Sequence, residues 1–234
     1  MKNLTTGVTL GIALALAGCG NDAAKTENVG IARTTISGLV SLLPSFGKDD
    51  AEATPIDQAA QQAAIARSAL ELNAGPVMLV SLEATNTNTA AAMVGENGSM
   101  RTYNTPAKQS LVLRNGLLAG TRGFGNDVMS ARIDEISALI LGRQAGTAVR
   151  TPYYLDGEGI ERPLPFDCTV SLGAEQSFAI GDTPYTAMQV AETCTAPNLS
   201  ITNSYLVTAD RQVVLSRQWI APTLGYVTLQ TLRP

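Results

Sequence analysis

The feature that most constrains the fold of this chain is a succession of short apolar segments separated by tight turns, from residue 77 to residue 232. The sharpest signal among them is Asn115-Gly116, which lies between the apolar runs 111–114 and 117–120. Both residues tolerate a positive φ, as the two central positions of a type I′ hairpin turn require. This stretch therefore predicts an antiparallel hairpin.

Further segments of the same kind cover most of the chain, with Gly, Asp and Asn residues between them. We predict additional strands at 77–83, 90–94, 100–103, 147–155, 160–172, 175–180, 184–194, 202–209, 212–221 and 225–232, with a turn at 95–98. Consecutive strands joined by short turns favour antiparallel pairing. The predicted fold is therefore mainly β, with a large antiparallel sheet closed or half closed into a barrel-like domain.

Two helices are predicted ahead of the sheet, at 36–43 and 54–72. The first has apolar residues at helical spacing, and the second begins with Thr54 as N-cap and Pro55 at the first helical position. A third, short helix is expected at 133–141, where three isoleucines share one face.

The N-terminus carries a secretion signal. Lys2 precedes an apolar run at 7–18 that is too short to span a bilayer, and the run ends in Leu16-Ala17-Gly18-Cys19. This stretch resembles the lipobox of bacterial lipoproteins. The resemblance implies cleavage before Cys19, acylation of that residue and attachment to a membrane through the lipid. Gly20, rather than Asp, implies delivery to the outer membrane, with the protein facing the periplasm.

The expected organisation follows from these signals. Residues 1–18 form a lipoprotein signal peptide, 19–30 a lipid-anchored tether, 31–74 a helical segment with a linker, and 75–234 the β barrel-like domain.

Of the three cysteines, Cys19 is assigned to lipid, which leaves Cys168 and Cys194. In an oxidising compartment we expect these two to form a structural disulfide across neighbouring strands, although two buried free thiols would also fit the sequence.

Several function classes are excluded by composition. The chain has no histidine, which removes Ser-His-Asp and Cys-His catalysis and His-rich zinc sites. Its net charge of −4, without a long basic run, argues against nucleic-acid binding. No catalytic residue, metal or cofactor is predicted.

The stretch Thr121-Arg122-Gly123-Phe124-Gly125-Asn126-Asp127-Val128-Met129 resembles a motif of the group 4 capsule polysaccharide lipoprotein family, the GfcB/YjbF type. Phe124 and Val128 stand where leucine is usual. Tyr154-Leu155-Asp156-Gly157, the two later cysteines, and the segment from Ser216 through Tyr226 resemble the family as well. The resemblance implies a mainly β periplasmic domain that serves in making or exporting surface polysaccharide, with no established catalytic residue.

Five residues are candidates for ligand contacts, each with a structural alternative. Asp127 either caps the segment that follows it or pairs with Arg122, or the two contact a ligand. Trp219 is either core or an exposed platform for a sugar ring, assisted by Tyr153 or Tyr226.

The leading hypothesis is a non-catalytic outer-membrane accessory of exopolysaccharide or capsule assembly, whose partners are other secretion proteins or the polysaccharide. One alternative is a polysaccharide-processing enzyme that uses two acids from the set Asp127, Asp156, Glu158 and Asp167. The other is a carrier that shelters an acyl chain in a half-open sheet.

Overall fold

The computed structural model describes residues 33–34 and 55–234 of the 234-residue chain. Its helices are α1 (Pro55–Leu72) and α2 (Asp134–Leu141). Its strands are β1 (Arg33–Thr34), β2 (Val77–Leu82), β3 (Thr87–Asn97), β4 (Met100–Asn104), β5 (Ser110–Arg114), β6 (Leu117–Arg122), β7 (Ser130–Arg132), β8 (Gly146–Leu155), β9 (Glu161–Pro163), β10 (Phe166–Ile180), β11 (Thr183–Ala196), β12 (Leu199–Thr208), β13 (Val213–Ala221) and β14 (Gly225–Arg233).

The strands form one sheet in the order β6-β5-β4-β3-β2-β14-β13-β12-β11-β10-β8-β7. All pairs along this path are antiparallel, while β9 adds to β8 and β1 pairs in parallel with β10 at Ala179 and Ile180. The sheet is curled into a half-barrel, which confirms the predicted fold class.

The hairpin predicted at Asn115-Gly116 joins β5 to β6. Asn115 has φ +51° and Gly116 has φ +86°, as a type I′ turn requires. Glycine is also needed at 116 for space, because a Cβ there would lie 2.7 Å from the Cβ of Val213. The turn therefore packs directly against the start of β13.

Two predicted strand boundaries are wrong. The runs 160–172 and 175–180 do not match single strands, because Pro163 ends β9 and one strand, β10, then continues to Ile180. Its pairing with β11 shifts between Leu172 and Glu175, so this stretch is a bulge and not a turn. The turn expected at 95–98 lies later, at Gly98-Ser99, because β3 continues to Asn97.

The helix expected at 54–72 is α1, and the one expected at 133–141 is α2. The helix expected at 36–43 lies outside the described residues, as does Thr54. The short strand β1 was not predicted, since it falls within the segment interpreted as helical. In the described part of the chain, neither helix combines the length and apolar character that crossing a membrane requires.

The inner face of the sheet is filled by protein. Ile133 and the α2 residues Ile136 and Ile140 are fully buried and pack with Phe166 of β10 and Tyr205 of β12 in one hydrophobic cluster. On the outer face, α1 places Ile65 against a second cluster that includes Leu79, Leu206 and Leu215. The two helices therefore cover opposite faces of the sheet.

Strand β6 is fastened to β13 by a side chain. The Gln218 side chain accepts a hydrogen bond from the Leu118 N–H (2.8 Å) and donates one to the Gly116 carbonyl (3.0 Å). Gln218 is almost completely buried. A buried amide of this kind replaces backbone pairing where the sheet folds over itself.

Candidate functional site

The corner at residues 121–129, which carries the sequence motif, is held together by Asp127. Its carboxylate accepts hydrogen bonds from the Thr121 hydroxyl (2.8 Å) and from the backbone N–H groups of Gly123 (2.8 Å) and Phe124 (3.2 Å). Gly123 and Gly125 adopt positive φ, which allows the chain to fold around the acid. Asp127 therefore caps the loop that precedes it, and not the segment that follows it, which was one of the sequence alternatives.

Arg122 lies in the same corner, and its side chain binds carbonyl groups. Its guanidinium donates to the carbonyl oxygens of Thr121 (2.5 Å), Val128 (3.0 Å) and Met129 (3.0 Å). In the part of the chain that the structure describes, no ion pair joins Arg122 to Asp127. The corner also contacts the β13–β14 turn, since the Asn126 amide donates to the Thr223 hydroxyl (3.3 Å).

The three aromatic candidates lie at the same end of the sheet. Trp219 and Tyr226 are register partners on β13 and β14, and the Met129 N–H donates to the carbonyl of Tyr153 on β8 (2.8 Å). Sequence reasoning therefore selected residues that the fold brings together, and their role as ligand contacts stays a prediction.

Each of these aromatic rings also has a partner in the protein. Trp219 is half-buried and meets the rings of Phe166 and Tyr154 edge to face, with centroids 5.7 and 6.3 Å away. The Arg217 guanidinium lies 3.5 Å from the Tyr226 ring centroid. For Tyr153 the partner is Arg132, at 5.5 Å. The ring of Trp219 is thus largely engaged in core packing.

Strands β12 and β13 separate beside Trp219. Their backbone pairing extends to Ser204 and Arg217, although both strands continue beyond these residues. In the gap, the Asn203 side chain accepts from the Trp219 N–H (2.7 Å) and the Tyr226 hydroxyl accepts from the Thr202 N–H (3.0 Å). Side chains thus replace the missing backbone bonds.

A charged network that the sequence analysis missed lies on the inner face next to this gap. The guanidinium of Arg150 on β8 donates to both carboxylate oxygens of Glu192 on β11, at 2.6 and 3.0 Å. Tyr205 donates to the same carboxylate through its hydroxyl (2.7 Å), and Asn203 through its amide (3.0 Å). Glu192 has no solvent exposure and Arg150 has 6%. The carboxylate is therefore fully hydrogen-bonded.

Burial and this network shift the pKa values of Arg150 and Tyr205. Burial opposes the charge of Arg150, but the Glu192 carboxylate outweighs it and raises the pKa of the guanidinium. Burial, together with the negative charge of Glu192, raises the pKa of Tyr205 well above its usual value. Arg150 therefore stays charged and the phenol of Tyr205 stays neutral over the physiological range.

One signal in the sequence pointed to this network. Val190, Glu192 and Cys194 alternate along β11 and face the same side, so an acid occupies a position where the pattern requires an apolar residue. Glu192 also lies near the sulfurs of Cys168 and Cys194. These sulfurs are bonded to each other, so they cannot serve as thiolate ligands for a metal.

The disulfide joins Cys168 of β10 to Cys194 of β11, as the sequence predicted. The two cysteines are direct register partners of consecutive strands, with Cα atoms 4.0 Å apart. The separate strand predicted at 175–180 between the two cysteines was wrong, because the bulge near Gly173 was interpreted as a turn.

The other acids considered for catalysis serve turns or solvent-facing positions. Asp156 accepts from the Arg162 guanidinium (2.8 Å) and from the N–H groups of Glu158 (3.0 Å) and Ile160 (2.9 Å), and the first of these lowers its pKa most. Glu158 and Asp167 are exposed. Asp156 therefore stabilises the β8–β9 turn in the way that Asp127 stabilises its corner.

A pocket of about 280 Å³, which we call the end pocket, opens at the opposite end of the inner face. Three hairpin turns form its rim: Gly98-Ser99, Asn115-Gly116 and residues 210–212. The Asn115 N–H donates to the Ser99 carbonyl (2.9 Å), which joins two of these turns. Sequence reasoning missed this pocket because its residues come from turns that are distant in the chain.

Charged and polar side chains line the end pocket. Glu96 accepts from the Arg101 guanidinium (2.9 Å), which raises the pKa of Arg101. Gln212, Ser216 and Thr231 add amide and hydroxyl groups. Arg211 contributes a guanidinium that makes no hydrogen bond or ion pair with any described residue.

Comparison with known proteins identifies relatives. Residues 43–232 match the family described as group 4 capsule polysaccharide lipoprotein GfcB, YjbF. The crystal structure of a hypothetical lipoprotein YmcC from Escherichia coli is similar in fold, with a TM-score of 0.62 and 15% identity over 79% of this chain and 98% of that one. A putative exported protein with a YmcC-like fold from Bacteroides fragilis aligns with a TM-score of 0.28 and 10% identity, over 68% of this chain and 93% of that one. No curated protein matches the chain.

Proposed function

The chain belongs to the group 4 capsule polysaccharide lipoprotein family, and on this premise we propose that it is an outer-membrane lipoprotein acting as a non-catalytic accessory in exopolysaccharide or capsule assembly or export. The acylated residue is Cys19, and the folded domain faces the periplasm. Its partners are other proteins of the secretion machinery or the polysaccharide itself.

The non-catalytic role is supported by the burial and hydrogen bonding of the carboxylates. Glu192, which has no solvent exposure, is held by donors from Arg150, Tyr205 and Asn203 and is out of reach of a substrate. Asp127 and Asp156 are committed to backbone N–H groups of their own loops. A glycosidase needs one free acid and a second carboxylate about 5–10 Å away. These engaged acids fit that requirement poorly.

The inner face argues against the acyl-carrier alternative. Helix α2 and strand β6 fill its centre, where the space left between Arg150, Tyr154 and Trp219 is about 10 Å³, enough for roughly one water. The end pocket, at the opposite end of this face, has a volume of only about 280 Å³. A larger groove, of about 660 Å³, lies beside α1 and not within the curl of the sheet. The half-open sheet is therefore not suited to sheltering an acyl chain.

Deletion of the gene, followed by complementation, tests the proposal. We expect the deletion strain to lose surface polysaccharide under conditions that express the polymer, and a plasmid copy to restore it. Polymer yield and length, measured by gel electrophoresis of surface extracts, report the result. Unchanged polymer in the deletion strain would overturn the accessory role.

Complementation with four single variants distinguishes a non-catalytic accessory role from an enzymatic one. Asp127→Asn, Asp156→Asn, Glu158→Gln and Asp167→Asn each remove one candidate acid. We expect each variant that folds to restore the polymer to the extent that folded protein is present. Loss of polymer with full levels of folded Glu158→Gln or Asp167→Asn, both exposed sites, would favour the enzyme instead.

A further inference from the structure

The rim of the end pocket holds an arginine in a backbone conformation that disfavours it. Arg211 has φ +66°, in the left-handed region where an L side chain is strained and Gly or Asn is preferred. The two other turns on the same rim place Gly98 (φ +57°) and Gly116 (φ +86°) in that region. Stability alone would favour glycine or asparagine at 211 as well. Strain of this kind tends to persist at functional sites.

The Arg211 side chain also lacks an ion-pair partner among the described residues. Three charged side chains line the end pocket, and two of them, Glu96 and Arg101, pair with each other. The Arg211 guanidinium has no partner among the described residues. A guanidinium presents a rigid fork of N–H donors that binds carboxylate or phosphate oxygens in a bidentate manner. The end pocket therefore offers an anion a guanidinium with free N–H donors.

The polar part of the remaining lining favours a sugar as the carrier of that anion. Gln212, Ser216 and Thr231 offer amide and hydroxyl groups suited to sugar hydroxyls. The volume of about 280 Å³ lies at the lower limit of small-molecule pockets, about 300 Å³, which suits one sugar unit better than a length of polymer.

We propose that the end pocket binds an anionic sugar unit of the exported polysaccharide, with the Arg211 guanidinium on its acidic group. The inference rests on the proposed function for the origin of the sugar. The shared chemistry is a carboxylate or a phosphate on a hydroxyl-rich ring, and the Arg211 side chain distinguishes such a unit from a neutral one.

Binding to the full-length protein, purified in detergent, tests this directly. The probes are galacturonic acid, galactose 6-phosphate and galactose, each titrated by NMR with the shifts of residues 98–101, 115–116 and 211–213 as the readout. We expect saturable shifts with one or both anionic sugars, and at least tenfold weaker affinity for galactose. The preferred probe identifies the acidic group. Equal affinity for galactose, or no saturation with any probe, would overturn the proposal.

Arg211→Asn and Arg143→Asn form a matched pair of variants. Both arginines lie in turns with positive φ, but Arg143 pairs with Glu175 outside the end pocket. We expect Arg211→Asn to weaken binding at least tenfold without lowering the melting temperature, and Arg143→Asn to leave binding unchanged. Undiminished binding by Arg211→Asn would overturn the role of this arginine.

Failure of this inference is distinguishable from failure of the proposed function. If a deletion strain loses polymer but Arg211→Asn restores it fully, the accessory role stands and the end pocket is not needed for export. If deletion leaves the polymer unchanged, the accessory role fails, while the titrations still decide whether the end pocket binds anionic sugars.

Discussion

Arg150 and Glu192 form a bidentate ion pair across one intervening strand, at the centre of the inner face. A buried pair of this kind gains Coulomb energy, but burying the two charges costs desolvation energy. Its net contribution to folding stability is therefore small, whereas the loss of one partner is strongly destabilising. Here the carboxylate has two further donors, Tyr205 and Asn203, so it accepts hydrogen bonds from two strands, β8 and β12.

We therefore expect Glu192→Gln to lower the free energy of unfolding by about 3–5 kcal/mol, because Arg150 would keep a buried charge without its counter-ion. Urea denaturation followed by circular dichroism measures the change. Glu175→Gln is the control, since that acid is exposed and its pair with Arg143 should contribute about 0–1 kcal/mol. Equal effects of both variants would contradict a structural role for the network.

Replacement of Cys168 or Cys194 by Ser should lower stability by about 2–5 kcal/mol. The disulfide closes a loop between residues 26 positions apart and thereby restricts the unfolded chain. Acylation at Cys19 should not change, because that residue is chemically independent of the pair. Mass spectrometry of the wild-type protein should find no free thiol at 168 or 194. Free thiols in protein isolated from the periplasmic side would refute the predicted compartment.

Asp127→Asn should destabilise the corner at 121–129 by about 1–3 kcal/mol, because an amide cannot accept from both Gly123 and Thr121 as the carboxylate does. The exposed Asp167→Asn serves as the comparison, with an expected change within about 0.5 kcal/mol. Thermal denaturation of both variants measures the change in stability. A corner variant that keeps wild-type stability but loses polysaccharide export would instead support the predicted ligand contact.

Alkaline pH should unfold the protein through its buried phenols. Burial raises the pKa of Tyr154 and of Tyr205, so the folded protein retains protons that the unfolded chain releases above about pH 10. The stabilisation is complete below pH 10 and decreases as the pH rises further. Urea denaturation at pH 8, 10 and 11 should show this decline, with a smaller slope in Tyr154→Phe. An unchanged slope would mean that Tyr154 is accessible to solvent.

Cys19→Ser should abolish labelling with palmitate and leave a precursor that does not fractionate with the outer membrane. The physical reason is that no thiol remains to carry the diacylglyceryl group, and each buried acyl CH₂ contributes about 0.8 kcal/mol to anchoring. Cys168→Ser is the matched control and should label normally. Palmitate incorporation by Cys19→Ser would disprove the anchor.

Local chemistry explains what could be predicted from the sequence. The Asn115-Gly116 turn and helix α2 depend on neighbouring residues, so φ preference and apolar spacing were sufficient for both. The bulge in β10 was misinterpreted because a glycine in a strand can mark either a turn or a bulge. The pairing of Arg150 with Glu192, 42 positions apart, depends on the register of three strands, which no local pattern fixes.

The buried amide of Gln218 has a consequence for how copies of this protein behave together. The terminal strand of an open sheet usually offers free backbone groups as a template on which another chain can aggregate. In β6 the Leu118 N–H is bonded to Gln218, and the Thr121 N–H to the Val128 carbonyl. These donors are unavailable to a neighbouring copy. The buried glutamine thus protects the β6 edge against edge-to-edge self-association.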